Sequence, residues 1–127
     1  MSRTRVAIES PLRGDMERNV AFCRNVCQYA VSRGYNPYAM HLFFPQFLDD
    51  NDDEDRRVGI ECGLGWTDFA EEVWFCLRPK DAVTEGMRLA AERHQELVRE
   101  GKERVIKFYR FTQEGELIGE WQLPHAA

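Results

Sequence analysis

The stretch Arg5-Val6-Ala7-Ile8-Glu9-Ser10-Pro11-Leu12-Arg13-Gly14-Asp15 decides the fold class of this chain. Its apolar first half predicts a short buried strand, and its second half, with a proline and a glycine, predicts a tight loop. Asp15 is a suitable N-cap for a helix, and apolar side chains then recur at three- and four-residue steps until Gly34 ends the pattern. The stretch therefore predicts a strand, a loop and a helix in succession.

The rest of the chain continues this alternation of strands and helices. The patterns predict strands over residues 36–40, 72–77, 104–111 and 117–123, helices over 53–69 and 85–100, and a long loop over 41–55. Strands that alternate with helices pair in parallel through right-handed crossovers. We therefore predict an α/β protein, a three-layer sandwich with a mostly parallel sheet and an antiparallel C-terminal strand.

Composition limits the possible partners. The chain has 127 residues, is 43% hydrophobic, and carries 17 Lys and Arg against 22 Asp and Glu, a formal net charge of −5. This acidic excess is not typical of proteins that bind nucleic-acid polymers. The longest apolar run, residues 73–77, is too short to span a membrane, and the N-terminus lacks an apolar signal stretch. We expect a cytoplasmic protein without a membrane or a nucleic-acid polymer as partner.

Cysteines, histidines and acidic residues give no convincing metal pattern. The four cysteines include no C-x-x-C pair and the three histidines are scattered, so we expect free, buried thiols. Residues 49–55 resemble a calcium loop only in part, because the turn glycine and the terminal glutamate are missing, so a solvated acidic loop is the better interpretation. No metal and no cofactor is predicted.

Two glycines stand out in the predicted helix over residues 53–69. Gly59 and Gly63 lie one turn apart on the same face, and a glycine inside a helix costs about 1 kcal/mol relative to alanine. Close approach of a backbone or a ligand explains them, and packing of the helix on the sheet explains them equally well.

Ligands of such sheets bind beyond the carboxyl ends of the strands. This rule selects the loops after the first and second strands, the end of the third strand, and the start of the last helix at residues 84–87. In the loop 10–15, a hydroxyl, a guanidinium and backbone N–H groups can hold a phosphate or a ribose, although an ordinary turn explains the loop equally well. The candidate binding residues are Ser10, Pro11, Arg13, Gly14, Asp15, Asn19, His41, Trp66, Gly86 and Met87.

Several segments together carry a family pattern. They are residues 6–15 followed by Glu17-Arg18-Asn19, then Tyr38-Ala39-Met40-His41-Leu42, residues 59–66 and 70–74, and Glu85-Gly86-Met87-Arg88-Leu89. In these segments, which span roughly residues 5–109, the chain resembles the nucleoside 2-deoxyribosyltransferase-like superfamily, especially its small phage and bacterial members. The resemblance implies one flavodoxin-like domain over residues 1–127 that binds a nucleoside or nucleotide, and a homodimer or higher homo-oligomer.

The family's chemistry depends on a residue that this chain lacks. The resemblance implies that catalytic members cleave the N-glycosidic bond with a glutamate near the start of the last helix as nucleophile. Ala90 occupies that position here, and an alanine cannot attack. Three explanations stay open: a binder that has lost catalysis, a Glu-to-Ala variant that traps a ligand, or another carboxylate, such as Glu61, in the catalytic role.

Two functions are compatible with these residues, and neither settles whether the chain is an enzyme. The first is a nucleoside- or nucleotide-binding protein resembling deoxyribosyltransferases or nucleotide N-hydrolases. The alternative is a non-catalytic protein that sequesters a nucleotide-derived signal, as a phage counter-defence protein does in the host cytoplasm.

Overall fold

The computed structural model describes residues 2–123, in which five strands form a single sheet. The strands are β1 Thr4–Glu9, β2 Tyr35–Tyr38, β3 Glu72–Leu77, β4 Val105–Phe111 and β5 Leu117–Glu120. The helices are α1 Met16–Ser32, α2 Met40–Phe43, α3 Asp53–Thr67 and α4 Glu85–Arg99, and a 3-10 turn covers Phe44–Gln46. None of the helices in the described range is long and apolar enough to cross a membrane.

The strand order confirms the predicted architecture. The sheet runs β2-β1-β3-β4-β5, with β1 parallel to both β2 and β3, β3 parallel to β4, and β5 antiparallel to β4. This is the flavodoxin-like order, in which the chain moves in opposite directions away from β1. The protein is thus a three-layer α/β sandwich, and the carboxyl end of β1 is the point at which such sheets bind ligands.

Alternating side chains of the sheet build one core on each face. Val6, Ile8, Trp74 and Cys76 face α1 and pack against its Phe22, Cys23 and Val26. Ala7, Val73, Phe75 and Leu77 face the other way and pack against Met87 and Ala91 of α4. Central strands that are buried on both faces read as continuous apolar runs, which is why β3 was predictable over its full length.

Local signals fix the ends of α1 as predicted. The Asp15 carboxylate accepts a hydrogen bond from the Arg18 backbone N–H at 3.2 Å, and Gly34 follows the helix with φ +90°. A glycine adopts this conformation without the steric cost that a side chain would add. The other predicted elements agree with the structure to within a few residues.

The prediction of a continuous loop over residues 41–55 is wrong in its first part, which is helical. Residues 40–46 form α2 and the 3-10 turn, and Pro45 lies in the first turn of the latter, where its missing N–H is no loss. Phe44 is buried, and Leu42 packs against the α1 core. Such short helical segments are stabilised by tertiary burial rather than by their own sequence.

The cysteines are free, as predicted, but they are not all buried. Cys23 and Cys76 are buried, Cys27 is half-buried, and Cys62 on α3 is exposed. The expectation for Cys62 is wrong because α3 packs lightly: Gly63 and Thr67 are its buried residues.

A buried imidazole joins α4 to the start of β4. The Arg104 guanidinium, which can only donate, lies 3.0 Å from His94 Nδ1, so this nitrogen accepts and the neutral imidazole carries its proton on Nε2. Arg104 also donates to the carbonyl oxygens of Thr67 and Asp68, each at 3.2 Å. Burial, with a contribution from Arg104, lowers the pKa of His94 to about 4.

Replacing His94 with glutamine is expected to change how stability depends on pH. In the unfolded chain His94 has its usual pKa of about 6.5, whereas in the folded protein its pKa is about 4. Between these two pH values the unfolded chain binds a proton and the folded protein does not. The wild type therefore loses stability as the pH falls through this window. Glutamine accepts the Arg104 hydrogen bond without titrating, so in urea unfolding the wild type should weaken relative to His94→Gln as the pH falls. A difference that stays constant from pH 7 to 4 would contradict this assignment.

Candidate ligand-binding site

A shallow hollow lies beyond the carboxyl ends of β1 and β2, and its empty space is about 340 Å³ when the open solvent at its mouth is included. Leu12 from the loop after β1, Phe44 and Leu48 contribute apolar walls. His41, at the start of α2, and Arg56, near the start of α3, contribute polar groups. The hollow therefore combines an apolar surface with charged and polar groups at the edge of the sheet where ligands bind.

Two of the three glycines of α3, Gly59 and Gly63, allow neighbouring segments to approach closely. A Cβ on Gly63 would lie 3.1 Å from the Met40 Cβ and still closer to the Met40 sulfur, and one on Gly59 would lie 3.4 Å from Leu48 Cδ1. Met40 and Leu48 both line the hollow. The group closest to Gly63 is therefore the Met40 side chain, in the segment that follows β2, whereas the expectation was a backbone or a ligand.

Carboxylates of the acidic loop between the 3-10 turn and α3 accept hydrogen bonds from backbone N–H groups of the same segment. Asp49 accepts a hydrogen bond from the Asn51 N–H at 2.9 Å, Asp52 caps α3 by accepting from the Asp55 N–H at 3.0 Å, and Asp55 accepts from the Asp49 N–H at 2.9 Å. Within residues 2–123, no group of three or more His, Cys, Asp or Glu side chains is placed to hold a metal ion. Asp50 and Asp55 of this segment line the hollow.

Arg13 connects the loop after β1 to this acidic loop. Its Nε lies 3.2 Å from Asp50 Oδ2, and its Nη2 donates to the Asp50 carbonyl oxygen at 3.2 Å. Arg56 approaches the same carboxylate at 3.8 Å. The Arg13 side chain is 52% exposed, so its guanidinium can still reach an anionic group at the mouth of the hollow.

Asn19 shapes the loop 10–15 from below. Its Nδ2 donates to the carbonyl oxygens of Leu12 and Arg13, both at 3.0 Å, and its Oδ1 accepts from Arg78 Nη2 at 2.6 Å. Arg78, the residue after β3, is buried, and it was not among the residues predicted from the sequence. The sequence feature that could have identified Arg78 is its place as a cationic residue directly after a buried strand. Asn19 and Arg78 together position the loop.

The other predicted site residues divide into two groups. Around the carboxyl end of β1 the structure brings together Ser10, Pro11, Arg13, Gly14, Asp15, Asn19 and His41. Burial lowers the pKa of His41, opposed by a hydrogen bond with the Ser10 backbone and by the charge of Asp50. Trp66 is 59% exposed, and its ring packs 6.4 Å from that of Tyr38.

The second group lies on α3 and α4. The Met87 N–H donates to the Thr84 side chain at 3.1 Å and so caps α4, while Gly86 is exposed with open space around it. Ala90 is half-buried against the apolar core under α4. Glu61 is exposed and forms an ion pair with Arg57 at 3.1 Å. Its surroundings are those of a solvated surface carboxylate.

Residues 4–103 match a family model described as a domain of unknown function, DUF7768. The chain belongs to the DUF7768 family. No curated protein and no solved structure is significantly similar to the chain. The matched range contains the hollow, the loop 10–15 and α4, and it ends before β4 begins.

The DUF7768 domain also has a carboxyl group at the carboxyl end of β1, that of Glu9, which was not among the site residues predicted from the sequence. Glu9 ends β1 directly after the apolar residues Val6, Ala7 and Ile8, and burial alone raises its pKa to about 7. Nearby, the hydroxyl oxygens of Tyr38 and Ser10 are buried without a hydrogen-bonding partner. A charged residue at the end of a buried strand was the signal. Perturbed titratable groups at a ligand-binding edge are candidates for function.

Proposed function

We propose that this protein binds a nucleoside or nucleotide at the carboxyl edge of its sheet. The observation that carries the proposal is the hollow at the carboxyl ends of β1 and β2, whose apolar walls suit the faces of a base. Arg13 and Arg56 at its rim suit a phosphate or other anionic group. The resemblance of residues 6–15 to nucleoside-binding proteins supports the same ligand class.

Ala90 favours a second, narrower candidate, namely sequestration of a nucleotide-derived signal without turnover. A protein that cleaves the N-glycosidic bond from α4 needs a carboxylate there. The Ala90 methyl group instead packs against the apolar core, and Glu61 is engaged by Arg57 at the surface. We place such a protein in the cytoplasm, as a homodimer or higher homo-oligomer. The exposed Trp66 on α3 and Phe69 just after α3 support an interface between copies.

Incubation with a panel of nucleosides, nucleotides and cyclic nucleotides tests the proposal. We expect calorimetry to detect binding of at least one compound, and chromatography of the heat-released ligand to recover it intact. Free base released by the unmodified chain would contradict sequestration but not binding. Failure of every compound to bind would contradict the proposed function.

The variants Ala90→Glu and Ala90→Gln separate a lost catalytic activity from a binding function. Both enlarge a half-buried side chain and should lower the melting temperature to a similar extent, so the glutamine variant controls for packing. We expect neither variant to release free base. Free base produced by Ala90→Glu alone would show that the site is an N-glycosidase or transferase whose nucleophile is missing here.

A further inference from the structure

A second polar region lies beside the hollow, on the face of the sheet that carries α4. Ala7 packs in the α4 core, and Tyr38 is its Cα partner on β2, so the two side chains share that face. Glu9 lies two residues after Ala7 and therefore also points to this face. Glu9 and Met40 each lie two residues beyond the Ala7–Tyr38 pair, and Met40 lines the hollow. This arrangement places Glu9 and Tyr38 next to the proposed binding site.

The polar groups of this region have no protein partners. None of the hydrogen bonds and ion pairs found within residues 2–123 involves the Glu9 carboxyl group. The Tyr38 hydroxyl oxygen is buried and unpaired. The Tyr38 hydroxyl is therefore a buried unsatisfied group, which costs folding free energy, and such groups cluster where a ligand supplies the missing hydrogen bond.

We propose that Glu9 and Tyr38 hold the sugar of the ligand, with the Glu9 carboxylate accepting hydrogen bonds from its hydroxyl groups. This inference rests on the proposed function. A carboxylate repels a phosphate, and the apolar walls that suit a base lie in the hollow. The hydroxyl groups of a ribose both donate and accept hydrogen bonds, so they match an acceptor carboxylate beside a phenol.

The ionisation of Glu9 provides an independent readout. The titratable groups near Glu9 are a phenol and thiols, which never carry a positive charge: Tyr38 lies on the same face of the sheet with Cys62 of α3 beside it, and Cys23 and Cys76 lie on the α1 face. No cation among them holds the carboxylate in its charged form. Burial keeps the pKa of Glu9 at about 7, so a donor that binds the carboxylate favours ionisation and releases a proton.

The test compares ribonucleosides with their 2′,3′-dideoxy analogues by calorimetry at pH 7, in phosphate and in Tris buffer. We expect the ribonucleoside to bind at least about tenfold more tightly, with a heat that differs between the buffers because a proton is released. Glu9→Gln should abolish both the preference and the buffer dependence, and Tyr38→Phe should reduce the preference. Glu96→Gln, which alters an exposed carboxylate on α4, is the matched control and should change neither.

The outcomes separate this inference from the proposed function. If ribose and dideoxy forms bind equally and Glu9→Gln changes nothing, the inference is overturned while nucleoside binding stands. If no nucleoside or nucleotide binds, both the proposed function and this inference are contradicted. Without ligand, the wild type should lose stability relative to Glu9→Gln as the pH rises from about 4.5 to about 7, because the folded carboxyl group keeps its proton longer. Identical pH profiles would contradict the buried environment on which the inference depends.

Discussion

Arg78→Met is expected to lower the free energy of unfolding by about 3–5 kcal/mol, the range found when one partner of a buried ionic group is removed. The Arg78 Nε donates to Asp81 Oδ2 at 2.7 Å, and Nη1 donates to Gln113 Oε1 at 2.8 Å. Nη2 donates to the Asn19 side chain at 2.6 Å. Methionine keeps much of the volume but its side chain donates no hydrogen bond, so two amide oxygens lose this donor and the Asp81 carboxylate keeps the Arg78 backbone N–H at 2.8 Å but loses the guanidinium.

Urea denaturation measures this loss, and Arg88→Met is the matched control. Arg88 also contacts two acidic side chains, Glu85 and Glu92, but all three are exposed to solvent. Exposed ion pairs contribute about 1 kcal/mol or less, so Arg88→Met should change the free energy of unfolding by no more than this. Equal losses in the two variants would refute the idea that the Arg78 hydrogen bonds stabilise the fold.

Gly115→Ala is expected to lower the free energy of unfolding by about 3 kcal/mol, from two contributions that add. Gly115, in the turn between β4 and β5, has φ +90°, which disfavours any side chain. A Cβ there would also lie 2.6 Å from the Asn25 carbonyl oxygen of α1. That oxygen belongs to the helix backbone and cannot move aside as the end of a flexible side chain would.

Gly34→Ala isolates the first contribution, the cost of a side chain at positive φ. Gly34 has the same φ of +90°, but nothing lies within 4 Å of a Cβ built on it. Its replacement should therefore cost only the conformational penalty of about 1–2 kcal/mol. Calorimetric unfolding of both variants gives the cost of the contact as a difference. Similar losses would mean that the turn shifts away from α1, breaking the 2.9 Å hydrogen bond from Asn25 Nδ2 to the Gln113 carbonyl oxygen.

The predictable parts of the fold are those with local causes. Asp15 caps α1, Gly34 follows its end, and residues 72–77 form one uninterrupted buried strand. The helical segment after β2 was not predictable because burial of Phe44, not the local pattern, stabilises it. The exposure of Cys62 likewise depends on how far α3 stands from the sheet, which no residue of α3 encodes alone.

Some residues of the candidate site were likewise predictable from the sequence, and others were not. The rule that ligands bind at the carboxyl ends of strands was enough to select the loop 10–15 and His41, which border the hollow. Arg78 was not predictable because its partners Asn19 and Gln113 are 59 and 35 residues away in the chain. Glu9 was not predictable because its pKa is set by burial under neighbouring elements, which a strand pattern does not reveal.

The light packing of α3 has a consequence for the dynamics of the site. α3 buries Gly63 and Thr67, whereas α1 buries five residues, so α3 is expected to be a separate cooperative unit that opens at a lower free energy than the sheet. The hollow lies between this unit and the firmly held β1–α1 loop. Occupation of the hollow would then be coupled to closure of α3, and part of the binding free energy would be spent on ordering one helix.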